Sequence, residues 1–112
     1  MTVAELKQQL DLELVSGSEG LHKSITGVYI GDMLSWVMAK AEENHAWITI
    51  QTNLNVLAVA LMTEVSCIII AENAEIPEET TTRSDDENIP ILRSPMTAYE
   101  LAVTLAGVMN HE

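Results

Sequence analysis

The sequence predicts an α/β fold in which helices pack on both faces of a mainly parallel β-sheet, giving three layers. Short apolar runs rich in β-branched residues alternate with amphipathic stretches along the chain, and this alternation is typical of parallel strands joined by right-handed crossovers. The runs at 46–50 and 67–71 are apolar almost throughout, as expected for neighbouring strands buried on both faces. A chain of 112 residues suits one packed core, so we predict a single domain over residues 1–112.

The periodicity of apolar residues predicts the strands and helices in turn. The predicted strands are 12–15, 24–30, 46–50, 67–71 and 89–92. The predicted helices are 2–10, 33–41, 54–65, a poorly stabilised, solvated helix within the acidic stretch 72–88, and 98–109. A Ser- and Gly-rich segment at 16–20 is predicted to be a plain turn between the first two strands.

Side-chain chemistry indicates where three of the helices begin. Thr2 and Glu5 have the spacing of a capping box, in which each side chain accepts a hydrogen bond from the backbone of the other. Asp32 directly follows a strand and is predicted to be an N-cap. Pro77 is expected at the first helical position, where its missing N–H costs nothing.

The chain is strongly acidic, with 5 Lys and Arg against 17 Asp and Glu and a formal net charge of -12. Nucleic acids and anionic membranes attract proteins through clustered cations, so neither is expected as a partner. The charge is expected mainly to keep the protein soluble, with steering of a basic partner as the alternative.

Cys67 is the only cysteine, so an intrachain disulfide is excluded and the reducing cytoplasm is the expected compartment. It begins the apolar run 67–70, where burial should leave the thiol inert. Residues 1–10 lack a signal-peptide pattern, and no apolar run approaches the about 18 residues needed to span a bilayer. We therefore expect neither export nor membrane insertion.

Three blocks of sequence carry a resemblance to a known family. They are His22-Lys23-Ser24-Ile25-Thr26-Gly27-Val28, the block Ala46-Trp47-Ile48-Thr49-Ile50-Gln51-Thr52-Asn53, and the Ile-Pro-Ile-Leu run at 89–92. Together they resemble the DRTGG domain family, named for an Asp-Arg-Thr-Gly-Gly pattern in which one or two residues commonly separate Arg from Thr. Thr26 and Gly27 retain the pattern, whereas His22 and Lys23 stand at its Asp and Arg and Val28 at its second Gly.

The resemblance implies a fold akin to the N-terminal domain of the HPr serine kinase and a role as a regulatory module beside other domains. Family members also occur between nucleotide-sensing CBS domains and as short separate proteins, and dimerisation recurs among them. The family has no general set of catalytic residues, so the resemblance implies none for this chain.

The sequence itself offers little for catalysis or metal binding. The P-loop pattern Gly-x-x-x-x-Gly-Lys-Ser/Thr, with which a kinase would hold phosphates, is absent. His22, His45 and His111 are scattered, and Cys67 has no potential ligand near it in the sequence. We therefore predict no catalytic residue, no cofactor and no metal site.

The strongest candidate site is positional, because the carboxyl ends of parallel strands meet at one edge of a sheet and α/β proteins bind ligands there. The candidate ligand or partner residues are Gly31, Asp32, Gln51, Thr52 and Asn53 at this edge, together with Thr26 and Gly27 of the DRTGG pattern. The alternative is that the polar residues only cap helices, since βα loops require such residues in any event. Gly27 and Gly31 are expected to need a positive φ or to leave no room for a side chain.

These observations favour a non-enzymatic regulatory or protein-interaction module that acts with a larger enzyme or signalling complex. The helices at 54–65 and 98–109 are apolar around most of their circumference, which predicts a homodimer interface on one of them. A sensor that binds a nucleotide or another small metabolite at the strand ends is the alternative hypothesis, and an unrecognised enzyme is a third.

Overall fold

Helices and strands alternate through residues 1–109, the part of the chain that the computed structural model describes. The strands are β1 (Glu13–Ser16), β2 (Gly27–Ile30), β3 (His45–Thr49), β4 (Cys67–Ile70) and β5 (Ile91–Arg93). The α-helices are α1 (Val3–Gln9), α2 (Leu34–Lys40), α3 (Asn55–Thr63), α4 (Glu78–Glu87) and α5 (Ala98–Met109), and a 3₁₀ helix covers Ser18–Gly20 inside the predicted turn. Each predicted strand and helix is therefore present, with shifts at its ends.

The strands form one sheet in the order β1-β5-β4-β3-β2. The pairs β2–β3, β3–β4 and β4–β5 are parallel, and β1 pairs antiparallel with β5 at one edge. In the pairing of β3 with β4, Ala46 lies opposite Cys67 and Trp47 lies opposite Ile68. All residues of β4 are buried. The predicted mainly parallel sheet, with these two strands as buried neighbours, is confirmed.

Successive side chains of each strand point to opposite faces of the sheet, and each face packs against its own helices. One face packs Ile48 and Ile69 against Val3 and Leu6 of α1 and Leu101 and Leu105 of α5. The other face packs Trp47, Ile68 and Ile70 against Val37 of α2 and Val56, Leu57 and Ala60 of α3. The predicted three-layer α/β architecture is therefore confirmed.

Hydroxyl groups attach α4 to the domain. Thr80 and Ser84, one helical turn apart, are fully buried. The Thr80 hydroxyl donates to the carbonyl of Thr52 (2.9 Å), and the Ser84 hydroxyl donates to the carbonyl of Ile89 (2.6 Å). Ser84 also accepts from the hydroxyl of Ser16 (2.8 Å). A helix that is acidic and exposed on its outer side is thus held by hydrogen bonds on its inner side.

Two predicted boundaries are wrong for local reasons. Pro77 is the N-cap of α4, with ψ of 146°, because its extended backbone precedes the first helical turn. The predicted strand 24–30 begins only at Gly27, since Ser24 forms an isolated antiparallel bridge with Thr2 instead of pairing in the sheet.

The connection from β1 to β2, residues 17–26, crosses beneath the amino ends of the other strands because β1 and β2 form opposite edges of the sheet. Its contacts follow the strand order: Gly20 lies against Asn88 before β5, Ser24 accepts from the hydroxyl of Ser66 before β4, and Thr26 donates to the carbonyl of Asn44 before β3. Gly17 begins this path with a positive φ of 75°.

Candidate functional site

At the carboxyl edge of the sheet, Asp32 joins the turn after β2 to the end of β3. Its Oδ1 accepts hydrogen bonds from the hydroxyl of Thr49 (2.8 Å) and from the backbone N–H of Ile50 (3.0 Å). The predicted N-cap role of Asp32 is wrong, because its carboxylate is committed to β3 and the N-cap of α2 is Met33, which forms no side-chain cap. Asp32 therefore ties two neighbouring βα turns together.

The contacts continue from Thr49 to the start of α3. The Thr49 hydroxyl oxygen accepts from the backbone N–H of Gln51 (3.1 Å), and the side-chain carbonyl of Gln51 accepts from the amide of Asn53 (3.2 Å). Asn53 in turn accepts from the backbone N–H of Asn55 in the first turn of α3 (2.9 Å). We call Asp32, Thr49, Gln51 and Asn53 the carboxyl-edge network. Each of its members is hydrogen-bonded within the chain, and Asn53 contacts the first turn of α3, as the capping alternative expects.

The sequence-predicted candidates lie at two ends of the sheet. Gly31, Asp32, Gln51, Thr52 and Asn53 follow β2 and β3 at the carboxyl edge, whereas Thr26 and Gly27 lie at the amino end of β2. Thr52 contributes its backbone carbonyl, which accepts from the hydroxyl of Thr80. The structure therefore brings five of the candidates together and places the two residues of the family pattern a strand length away.

Gly27 and Gly31 have no positive φ, so that part of the expectation is wrong. A Cβ at Gly27 would lie 3.0 Å from the ring of His45, and one at Gly31 would lie 3.0 Å from the ring of Tyr29. Space for a side chain is tight at both positions, but the neighbouring atoms belong to side chains that can shift.

Exposed apolar side chains lie on the elements that carry the carboxyl-edge network. Ile30 ends β2 and Ile50 follows β3, while Met33 is the N-cap of α2 and Trp36 lies in its first turn. Met33 is 68% exposed and Trp36 is 59% exposed, although the ammonium of Lys40 lies 5.5 Å from the centroid of the Trp36 ring. We call Ile30, Met33, Trp36 and Ile50 the apolar rim. It is the feature of this edge that sequence patterns did not single out.

A depression of about 330 Å³ lies at the opposite, amino end of the strands. Lys23 and Asn44 line it together with Glu64 and Ser66. Partial burial lowers the pKa of the Lys23 ammonium below its ordinary value. The ammonium donates to the carbonyl of Asn88 at 2.8 Å. The cation is therefore bound to the end of α4 and not displayed to solvent as a free charge.

The thiol of Cys67 is buried, as predicted, and burial raises its pKa to about 12. A thiol in this state is a poor nucleophile at neutral pH. Over residues 1–109, no three His, Cys, Asp or Glu side chains form a group that could hold a metal ion, and no helix has the length and apolar character to cross a membrane. His111, one of the scattered histidines, lies outside the described residues.

Comparison with known families decides the family of this chain. A family model described as the DRTGG domain matches residues 5–108. The chain belongs to the DRTGG domain family. This DRTGG chain is 26% identical over 121 residues to HPr kinase/phosphorylase of Bacillus mycoides, covering 95% of the chain. It is 28% identical over 121 residues to the enzyme of the same description from Bacillus cytotoxicus. The chain spans 39% of the length of these relatives.

In this DRTGG domain, the signature begins in the segment that crosses beneath the strands and ends in β2. Lys23, at the Arg position, reaches the carbonyl of Asn88, and its own carbonyl accepts from the backbone N–H of Val3 (2.9 Å). Thr26 donates its N–H to the carbonyl of Asn44 (3.0 Å). Val28, at the second Gly position, lies half-buried within β2. In this chain the signature therefore joins α1 and the amino ends of the strands.

Proposed function

We propose that this DRTGG domain is a regulatory protein-interaction module that contacts a larger enzyme or signalling partner through the apolar rim. The observation that supports this function is the exposure of Met33 and Trp36 above turns that the carboxyl-edge network holds in place. Contiguous exposed apolar side chains mark interaction sites, and Trp and Met are enriched where proteins meet. Because hydrogen bonds within the chain hold these turns, the rim is pre-organised without a small ligand.

The charge distribution also favours a protein partner at the rim. Residues 21–41 contain only Lys23, Asp32 and Lys40 as charged side chains, in a chain of net charge -12. An apolar surface with few charges can be covered without removing many ions from water, which is the main cost of burying a charged surface.

Capture of partners from the native cell tests this surface when matched variants are compared. Trp36→Ser removes the largest side chain of the rim, and Met62→Ser removes an equally apolar side chain that is 72% exposed on α3. A partner that is retained by wild type and Met62→Ser but lost by Trp36→Ser supports the proposal. A set of captured proteins that is the same for all three would contradict it.

We further propose that the module is a homodimer and that α5 forms the interface. Tyr99 and Val103 are 77% and 54% exposed, and with Ala106 they form a line at i, i+4 and i+7 on the side of the helix opposite the buried Leu101 and Leu105. The helix carries a single charged side chain, Glu100. An exposed apolar line on a helix that already buries its other side is the surface that a second copy would cover.

The second candidate function is a sensor of a nucleotide or another small metabolite at the carboxyl edge. The exposed amide of Asn53 and the half-exposed amide of Gln51 support it, since both retain groups that could contact a ligand. A ligand that binds only the folded state raises the melting temperature, and the rise grows with the logarithm of the ligand concentration above its Kd. A shift that depends on Asn53 would favour this candidate over the interaction module.

We propose, finally, that the chain alone catalyses no reaction, needs no cofactor and acts in the cytoplasm. The sequence lacks a P-loop, and its one thiol is buried with a raised pKa. A turnover that persists in highly purified protein and disappears with one substitution would contradict the non-enzymatic part of this proposal.

A further inference from the structure

Two neighbouring depressions lie along the seam between α3 and α4. The first, at the amino ends of the strands, includes Leu61 of α3, Glu64 at the C-cap of α3 and Glu87 of α4 among its lining residues. The second is lined by Leu54 just before α3 and by five residues of α4, Glu78, Glu79, Thr82, Arg83 and Asp86. Arg83 of the second depression forms an ion pair with Glu87 of the first at 3.1 Å, so the two depressions adjoin along α4. We call this pair of depressions the α3–α4 groove.

Apolar side chains lie along the α3 side of the groove. Leu54 lies at one end and Leu61 near the other, and both are 38% exposed. The first depression is also lined by the buried residues Ala60, Val65 and Ile89. Leu54 and Leu61 are seven positions apart, which places them on the same side of α3 two turns from each other. The groove therefore presents an apolar line about as long as two helical turns, about 11 Å.

The rims of the groove are acidic, and its cations are already engaged. Its carboxylates are Glu43, Glu64, Glu78, Glu79, Asp86 and Glu87, against the cations Lys23 and Arg83. Arg83 is paired with Glu87 at 3.1 Å, and Lys23 donates to the carbonyl of Asn88 at 2.8 Å. The C-terminal ends of α3 and α4, where helix dipoles are negative, lie at the same end of the groove.

We propose that the α3–α4 groove binds a basic amphipathic segment of a partner protein, with apolar side chains on Leu54 and Leu61 and lysines or arginines on the acidic rims. An apolar line between carboxylates matches a helix that has apolar residues at i, i+3 or i+4 and i+7 and cations beside them. A second copy of this chain is a poor match for the groove, because a chain with only 5 Lys and Arg has few cations to place beside the acidic rims. This inference adds a second contact to the proposed function and rests on the chain acting through protein partners.

A synthetic peptide tests the groove directly. The probe is a fluorescent helix of about 14 residues made of Leu and Lys at helical spacing, and its control has the same composition in an order without a continuous apolar side. Binding is followed by anisotropy for wild type, for the double variant Glu79→Gln with Asp86→Asn, and for the control double variant Glu19→Gln with Glu75→Gln. Glu19 and Glu75 are exposed and line neither depression. Both double variants remove two negative charges, so they differ only in where those charges lie.

The amphipathic probe should bind more tightly than its control, and the groove double variant should weaken binding by about fivefold or more. The control double variant should change binding by less than about twofold, because its carboxylates interact with the peptide only at a distance. Leu61→Ser should weaken binding, whereas Met62→Ser, on the next residue of α3, should not. Melting temperatures of all variants establish that each one is folded.

Equal losses in the two double variants, equal behaviour of Leu61→Ser and Met62→Ser, or no preference for the amphipathic probe would overturn the groove proposal. A fall in the solution mass of the protein from dimer to monomer on Leu61→Ser would also overturn it, because a second copy of the chain would then occupy the groove. These readouts are independent of Trp36 and Val103. If the Trp36 capture test and the dimer test both failed while the peptide still bound the groove, the proposed function alone would be contradicted.

Discussion

The carboxylate of Asp32 accepts a hydrogen bond from the hydroxyl of Thr49 at 2.8 Å, which joins the turn after β2 to the last residue of β3. The same carboxylate oxygen accepts from the N–H of Ile50 at 3.0 Å. Both turns carry exposed apolar side chains, Ile30 and Met33 on the first and Ile50 on the second. This contact therefore holds the parts of the proposed partner surface in a fixed relation to one another.

Replacing Asp32 with Ala should lower the free energy of unfolding by about 1–2 kcal/mol, because the Thr49 hydroxyl and the Ile50 N–H lose their acceptor. Asn53→Ala should cost about 1 kcal/mol through loss of the hydrogen bond to α3. Urea unfolding measures both effects. An Asp32→Ala variant that unfolds at the wild-type urea concentration would contradict the proposal that Asp32 ties the two turns together. If that variant were also to lose a partner, the carboxyl edge of the sheet would itself be a contact site.

Gly17→Ala should destabilise the protein by at least about 2 kcal/mol, since alanine resists a positive φ and its Cβ would overlap the carbonyl of Ile89. Gly107→Ala is the matched control, because a Cβ there meets no atom within 4 Å. In the last turn of α5, that change should stabilise the protein by up to about 1 kcal/mol. Calorimetric melting of both variants compares them directly, and two shifts of the same sign would refute this account of the crossing segment.

Ser84→Ala should cost about 1–3 kcal/mol, because the buried hydroxyl of Ser16 and the carbonyl of Ile89 are left without their partner. Thr82→Ala, on the exposed side of the same helix, should change stability by less than about 0.5 kcal/mol. Chemical denaturation of the two variants decides whether hydroxyl groups hold α4 in place. Equal stabilities would mean that they do not.

The ion pair between Glu13 and Arg93 predicts a pH-dependent contribution to stability. The hydrogen bond from Arg93 (3.0 Å), more than the charge attraction, holds the pKa of Glu13 below its ordinary value of 4.5. The stabilisation is therefore fully present above pH 4.5 and is lost as the pH falls through the lower, folded-state pKa. Because both side chains are partly exposed, it should amount to less than about 1 kcal/mol.

Unfolding free energies of wild type and Glu13→Gln, measured across this pH range, test the prediction. The two proteins should differ near neutral pH and converge in acid, where Glu13 is protonated in both states. Glu19→Gln removes the same charge at an exposed position and serves as the control. A difference between wild type and Glu13→Gln that persists unchanged into acid would contradict the assignment.

Patterns within a few residues predicted the layers of this fold. The apolar runs of β3 and β4 alternate between the two faces, and this alternation places Trp47 against α3 and Ile48 against α1 and α5. The capping box predicted from Thr2 and Glu5 is present, with hydrogen bonds of 2.9 and 3.2 Å. The same signature begins α5 at Thr97 and Glu100, and its sequence spacing alone could have revealed it.

The candidate site was harder to predict because it depends on the pairing of distant strands. Nothing near β1 in the sequence indicates that it pairs with β5, and that pairing sends residues 17–26 across the amino ends of the sheet. Thr26 and Gly27 are thereby separated from Asp32. Both Trp36 and Trp47 are apolar, but only the folded positions of α2 and β3 leave Trp36 exposed and Trp47 fully buried.

The claim that this DRTGG domain works by association is tested most directly by its mass in solution. Light scattering over a wide concentration range should give twice the monomer mass of 12.3 kDa for wild type. Val103→Glu should shift the equilibrium to monomer by placing a charge in the apolar line of α5, whereas Thr104→Glu, on the next exposed residue, should leave the dimer intact. A monomer mass for wild type at every concentration, or the same mass for both variants, would contradict the proposed homodimer.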